Sequence, residues 1–185
     1  MTLLRAKCII AGDDTVGKSA LTQVFHSDGT HYPKNYLMTT GIELIVKSIT
    51  VPNTKATVEL YIYDSGGKEM FSDHVISNWD GIDVFLLVFD VTNPQSLINC
   101  EKWLERIKDK SYNNHLMGAV VANKIDLKGR RDVDTNAGSE FAKKHNLEYF
   151  ECSAKENLNI EEPFKAIAQS FHSHYEECLE KFKCV

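Results

Sequence analysis

The 185 residues carry no excess of basic charge: 21 Lys and Arg stand against 26 Asp and Glu, for a net charge of -5 and a pI near 5.8. A general nucleic-acid surface needs a basic excess gathered on one face, so that class is excluded. The five cysteines, Cys8, Cys100, Cys152, Cys178 and Cys184, are odd in number and scattered, without the close pairs of a metal site. They read as reduced thiols of a cytosolic protein. No stretch approaches the ~20 apolar residues of a membrane span, and the start MTLLRAKCIIAG has no small-residue cleavage site. The end EKFKCV puts Cys184 next to last, whereas the prenylation box needs cysteine fourth from the end, so no prenyl anchor is expected. A palmitoyl chain on Cys178 or Cys184 would anchor only marginally. Repeats, low-complexity tracts and linkers are also missing.

What is present is 43% apolar content, enough for one compact domain over residues 1–185 with a continuous core. Apolar runs of strand length alternate with segments of helical period, which predicts an α/β fold: a six-stranded, mostly parallel sheet with helices on both faces. The strands are read at Lys7 to Ala11, Glu43 to Thr50, Val58 to Asp64, Val84 to Asp90, Gly118 to Asn123 and Glu148 to Phe150. The short turn VPNTKA makes the second antiparallel to the third. Helices fit Lys18 to Ser27, roughly Glu69 to Trp79, Gln95 to Lys110, Thr135 to His145, and Ile160 to about Phe182. The last opens with NIEEPF, where Asn159 can cap and Pro163 does little harm. Its apolar stripe runs through Phe164, Ile167, Ala168, Phe171, Tyr175, Cys178, Leu179 and Phe182, roughly 28 Å at 1.5 Å per residue. A small sheet does not need that length, so Phe171, Tyr175, Leu179 and Phe182 are the candidate partner interface.

Between the first strand and first helix lies GDDTVGKS, Gly12 to Ser19, which matches G-x-x-x-x-G-K-[ST]. Amides of such a loop converge on phosphates at a helix N-terminus, the lysine reaches the β and γ phosphates, and the serine hydroxyl ligates Mg²⁺. The candidate phosphate residues are therefore Gly12, Asp14, Thr15, Val16, Gly17, Lys18, Ser19 and Ala20. NKID adds Asn123, Lys124 and Asp126 at the end of a buried strand, on the edge where such sheets bind ligands. An aspartate accepts from two guanine donors that adenine lacks. Asn123 would tie this loop to the phosphate loop, and Lys124 would lie along base and ribose. After the next strand CSAK places Ser153, Ala154 and Lys155, with the Ala154 amide aimed at the guanine carbonyl oxygen. N-K-x-D alone is also a good turn; three elements in order, at three strand ends, specify guanine and disfavour a nucleoside kinase or adenine-specific ATPase.

These motifs together resemble the Ras superfamily of small GTPases, nearer to Rab than to Ras because TTGIEL, Thr39 to Leu44, is similar to the Rab stretch T-x-G-x-D-F. The resemblance spans about residues 5 to 172 and implies a P-loop NTPase G domain that binds GTP or GDP with Mg²⁺. It makes Thr39 the first-switch threonine that ligates Mg²⁺ and touches the γ-phosphate, and Asp64 a metal contact through water. It makes the Gly67 amide a γ-phosphate sensor, and puts Tyr32 where the family stacks a ring on guanine. A closer resemblance, carried by AKCIIAGDDTVGKSAL, FHSDGTHY, VELYIYDSGGKE, NWDGIDVFLLVFDVTN and EEPFKAIAQSFHSHYEE, is to the Rab-like GTPases of the intraflagellar transport B complex. It implies a heterodimer with the small β-sandwich subunit, intraflagellar transport protein 25, contact with other subunits of that complex, and a link to export of the Bardet-Biedl complex. The location it implies is the cilium or flagellum, the cytoplasm and the basal body region.

The family pattern is broken at DSGGKE. Lys68 stands where relatives carry the glutamine that orients the attacking water, and an ammonium has three donors and no acceptor. Asp14 occupies a place where many relatives keep a glycine, and crowds the approach of an activator. With Lys18, Thr39 and Gly67 as the other catalytic candidates, hydrolysis is expected to be slow. Leu44 and Tyr63 replace the Phe and Trp by which Rab effectors are read. Three functions remain: a slow switch whose segments Tyr32 to Thr40 and Asp64 to Asn78 respond to nucleotide, a structural subunit that needs nucleotide for stability only, and an atypical Rab-like switch of vesicle traffic. His172 and His174, two apart on a helix, read as a solvated flank rather than a metal site. Trp79 and Trp103 read as packing residues, and GRRDVD as a polar loop leading to a helix cap.

Overall fold

The computed structural model describes residues 2–35, 38, 39, 41–67, 75–112 and 116–183. Lys68 and most of the helix expected from Glu69 to Trp79 lie outside the described residues, as do Thr40 and Cys184. Strands β1 (Thr2–Ala11), β2 (Ile42–Thr50), β3 (Ala56–Ser65), β4 (Val84–Asp90), β5 (Met117–Asn123) and β6 (Glu148–Glu151) form one six-stranded sheet in the order β2-β3-β1-β4-β5-β6. β2 and β3 are antiparallel, from Ile42↔Ser65 to Thr50↔Thr57, and all other pairings are parallel. β1 starts at Thr2 rather than Lys7, because the mixed run TLLRA still pairs with β3 from Thr2↔Ala56 onward. The run VFLLVFD of β4 is buried at every position, as a strand between parallel neighbours must be.

Helices α1 (Lys18–His26), α2 (Pro94–Lys110), α3 (Thr135–Lys144) and α4 (Glu161–Lys183) cover both faces. On one face Leu21 and Phe25 of α1 meet Phe164 and Ile167 of α4 over Ile10, Val58 and Leu60; the Phe25 and Phe164 rings stack at 3.8 Å. On the other, Trp103, Leu104 and Ile107 of α2 and Ala142 of α3 pack on Phe85 and Phe89, with Trp79 beside them. Asn93 caps α2 by accepting from the Gln95 amide, and Asp134, the end of GRRDVD, caps α3 by accepting from the Ala137 amide at 2.8 Å. Asn159 does not cap α4. It sits at φ 55 and its side-chain amide donates to the Glu151 carbonyl at 3.0 Å, which fastens the preceding loop to β6.

Along α4, Phe164, Ile167 and Ala168 are buried, Tyr175 and Leu179 are half-buried, and Phe182 is 80% exposed. Phe171 is half-buried and packs against the core, so it joins the helix's anchored half to its distal half. His172 and His174 depart from the solvated flank expected of them. Both are half-buried; the His172 Nε2 lies 3.7 Å from a Glu176 oxygen, and the His174 Nε2 lies 3.7 Å from the Cys178 sulfur. Among the described residues no helix is long and apolar enough to cross a membrane.

Candidate functional site

Because β1, β3, β4, β5 and β6 run parallel, the segments that follow them open on one edge of the sheet. β1 feeds the loop Gly12 to Gly17, β3 ends beside Asp64, β4 at Asp90 and β5 at Asn123, while β6 leads into Cys152 to Lys155. A cleft of about 1060 Å³ lies at this edge. Its walls include Asp14, Thr15, Gly17, Lys18, Ser19, Ala20, Tyr32, Thr39, Gly67 and Lys124, so residues from five separate stretches of the sequence converge there. A second cavity, of about 650 Å³, lies at the opposite end of the sheet near Met117, Glu148 and His174 and contains none of the expected nucleotide residues.

At one end of the cleft the loop closes around Lys18. The side chain is buried, and its ammonium donates to the carbonyls of Gly12 at 2.9 Å and Asp13 at 2.7 Å. Burial pushes the Lys18 pKa down to about 8, against the opposing charges of Asp64, Asp13 and Asp14. Gly17 sits at φ 97, and a Cβ there would fall 2.4 Å from the Asn123 side-chain nitrogen. Thr15, at φ 62, takes the left-handed region that non-glycine residues seldom adopt. Gly67 rests on the loop itself: a Cβ would lie 2.4 Å from the Asp13 carbonyl and the Asp14 amide nitrogen.

The Ser19 and Thr39 hydroxyls meet at 2.9 Å. Asp64 is fully buried, and among the described residues neither of its carboxylate oxygens accepts a hydrogen bond. Burial pushes its carboxyl up to about 6; the Ser19 hydroxyl and Lys18 ammonium oppose that shift, without reaching hydrogen-bond geometry with the carboxylate. Two adjoining hydroxyls and an orphaned buried carboxylate are hard oxygen donors, which fit Mg²⁺. The residues predicted as metal contacts are therefore brought together.

At the other end Asn123 is buried and bridges two loops. Its amide donates to the Val16 carbonyl at 2.9 Å, and its oxygen accepts from the Ala154 amide at 3.3 Å. Ala154 was expected to face a guanine carbonyl; the 3.3 Å bond it makes is long enough for a base oxygen to compete for it. Ser153, buried, donates to Asp126 at 2.7 Å and so orients the carboxylate rather than meeting a base directly. Lys124 differs from expectation in one respect. Its ammonium closes on Asp90 at 2.7 Å, while its stem passes 3.9 Å from the position of a Gly17 Cβ. The backbone at Lys124, φ 68, turns the residue back along the edge and sets this geometry. Tyr32 is exposed on the cleft wall and Lys155 is exposed on its turn.

A family model described as the Ras family matches residues 7–173. The chain belongs to the Ras family. Within it, the chain is 50% identical over 185 residues to the intraflagellar transport protein 27 homolog of Bos taurus, with all of both chains covered. It is 48% identical to the Homo sapiens homolog, again over the whole of both, and 34% identical to intraflagellar transport protein 27 of Chlamydomonas reinhardtii over 97% of this chain and 90% of that one. It is thus a Rab-like small GTPase similar to intraflagellar transport protein 27 along its full length. Four neighbours of the site carry no motif of their own: Asp13, Asp90, Asn99 and Trp103, the last expected only to pack. Asp13 accepts from Asn99 at 2.8 Å and from the Trp103 indole at 2.8 Å, and Asp90 also accepts from the Thr92 amide and hydroxyl. Asp13 lies within the phosphate-loop motif, but partners some 90 residues away leave no local signal.

Proposed function

We propose that this chain is a guanine-nucleotide switch of the intraflagellar transport B complex that hydrolyses GTP slowly. One observation carries the guanine-nucleotide reading: the Asn123 side chain ties the phosphate loop at Val16 to the CSAK loop at Ala154, so that the loops expected to hold phosphate and base form one unit. Lys18 binds the β and γ phosphates, and the amides of Gly12 to Ala20 and of Gly67 hold their oxygens. Asp126 receives the guanine ring N-H and amine, Tyr32 covers the base, and Lys155 flanks it. Ser19 and Thr39 would hold Mg²⁺ directly and Asp64 through water. The ion, when bound, supplies charge that offsets the phosphate oxygens. Gentle purification followed by identification of bound nucleotide tests this; GTP or GDP is expected, and ATP binding of equal affinity would contradict it.

Slow hydrolysis rests on residue chemistry at two positions. Lys68 has no acceptor with which to orient a water, and the Asp14 carboxylate lies on the cleft wall where charge and bulk hinder an activator. Single-turnover hydrolysis is expected to accelerate in Asp14→Gly combined with Lys68→Gln, on the order of tenfold or more. An unchanged rate would show that these residues do not set it.

The names of the similar proteins support a place in the intraflagellar transport machinery of the cilium or flagellum. The family resemblance alone adds intraflagellar transport protein 25 as a heterodimer partner, other subunits of the complex around it, and the Bardet-Biedl complex as exported cargo. Cytoplasm and basal body region are the other expected locations. A second reading, a subunit that binds nucleotide only for stability, is favoured by α4: its distal half presents Tyr175, Leu179 and Phe182 well beyond the core. Equal affinity for intraflagellar transport protein 25 in the GTP and GDP states would select the second reading for that contact.

A further inference from the structure

Asp13 is a junction of three contacts. Its carbonyl accepts from Lys18, its peptide is the floor on which Gly67 rests, and its carboxylate turns away from the cleft to accept from Asn99 and Trp103 of α2. Trp103 in turn lies against Trp79, ring centroids 6.1 Å apart, and the Trp79 indole donates to the Ser65 hydroxyl at 3.1 Å. Ser65 is two residues before Gly67. The contacts therefore close on themselves: Asp13 to Trp103, Trp103 to Trp79, Trp79 to Ser65, and Ser65 through Gly66 and Gly67 back to Asp13. Trp103, Trp79, Ser65 and Gly66 are buried while Asp13, Asn99 and Gly67 are half-buried, so the Trp79–Ser65 bond lies in the interior and the two Asp13 bonds lie at its margin. The Asp13 charge is met by two N-H donors and kept off the anion-binding side of the loop. Packing alone would have been served by phenylalanine at 79 and 103, whereas each indole N-H here has a specific acceptor.

We infer that Asp13, Asn99 and Trp103 are positioning residues through which α2 sets the spacing between the phosphate loop and the Gly67 amide, and thereby the preference of the site for a γ-phosphate. The ligand half of this inference rests on the guanine-nucleotide reading above; the spacing half does not.

The test uses the full chain with Trp103→Phe, which removes the N-H while keeping an aromatic ring, and Asn99→Ala, a milder change at a half-buried residue. Two readouts are taken. Hydrogen exchange of the peptide containing Asp64 to Gly67, without nucleotide, is expected to speed up in both variants. Release of a non-hydrolysable GTP analogue is expected to rise about tenfold for Trp103→Phe, with GDP release changed no more than about twofold. Faster exchange confined to α2, with both nucleotides released at the parental ratio, would overturn the inference and leave these residues as packing. If the parent chain binds no guanine nucleotide, the proposed function fails, and the exchange comparison still decides the spacing.

Discussion

Burial works against the ionised form of Asp64. Its folded pKa of about 6 exceeds the ordinary 3.8, so between those values the folded carboxyl holds a proton that the unfolded chain has released. Stability without ligand therefore falls as pH rises from ~4 to ~6, by roughly 3 kcal/mol at 1.36 kcal/mol per unit. Comparing thermal melts of nucleotide-free protein, Asp64→Asn should be the more stable form at pH 7, and the gap should close by about pH 4. The same variant should lose the ability of Mg²⁺ to retain nucleotide. Asp126 offers a second check by substitution. Asp126→Asn replaces an acceptor with a donor, so guanine affinity should drop on the order of 100-fold and xanthine nucleotides should be preferred, as read by competition binding.

α4 divides into two halves with different work. Near its start Phe164 stacks on Phe25 in the core, and Phe164→Ala should cost ~3–5 kcal/mol in chemical denaturation. Past Phe171 the helix is half-buried or exposed, ending at Phe182. Ending the chain after Ser173 should lower Tm by only a few degrees and leave nucleotide affinity intact, yet abolish the proposed pairing with intraflagellar transport protein 25 in a pull-down; retained pairing would move the interface elsewhere. The β2 edge carries a separate feature, since Leu44, 54% exposed, is the register partner of Tyr63. The two residues that replace the usual effector-reading pair are thus adjacent on one surface.

The molecule as a whole stores unfavourable charge where it binds ligand: a buried ammonium at Lys18, a buried carboxylate at Asp64, and left-handed backbone at Thr15 and Lys124. Mg²⁺ and nucleotide should relieve those costs. At a concentration 100 times Kd, GDP with Mg²⁺ should add about 2.7 kcal/mol, and a chelator should remove most of the resulting rise in Tm while releasing the nucleotide. A melt indifferent to the chelator would argue against the metal site.

Most of this was legible in the chain itself. Alternating apolar runs placed all six strands within a few residues, since β4 and β5 can be apolar on both faces only in the middle of a parallel sheet. GDDTVGKS and Lys124 of NKID, with the family resemblance for Tyr32, Thr39 and Gly67, named residues of the cleft wall because local loop chemistry demands glycine, lysine and hydroxyl at those spacings, while CSAK joins the site through Asn123 and Asp126. The reach of β1 back to Thr2, the capture of Lys124 by Asp90 and the packing of Phe171 against the core were not legible, because each depends on a partner far away in sequence. The same holds for Asp13. Its sequence neighbours identify a phosphate loop, but only the packing of α2 against that loop turns its carboxylate onto Asn99 and Trp103, since hydrogen bonds between distant elements are chosen by the fold and not by local spacing.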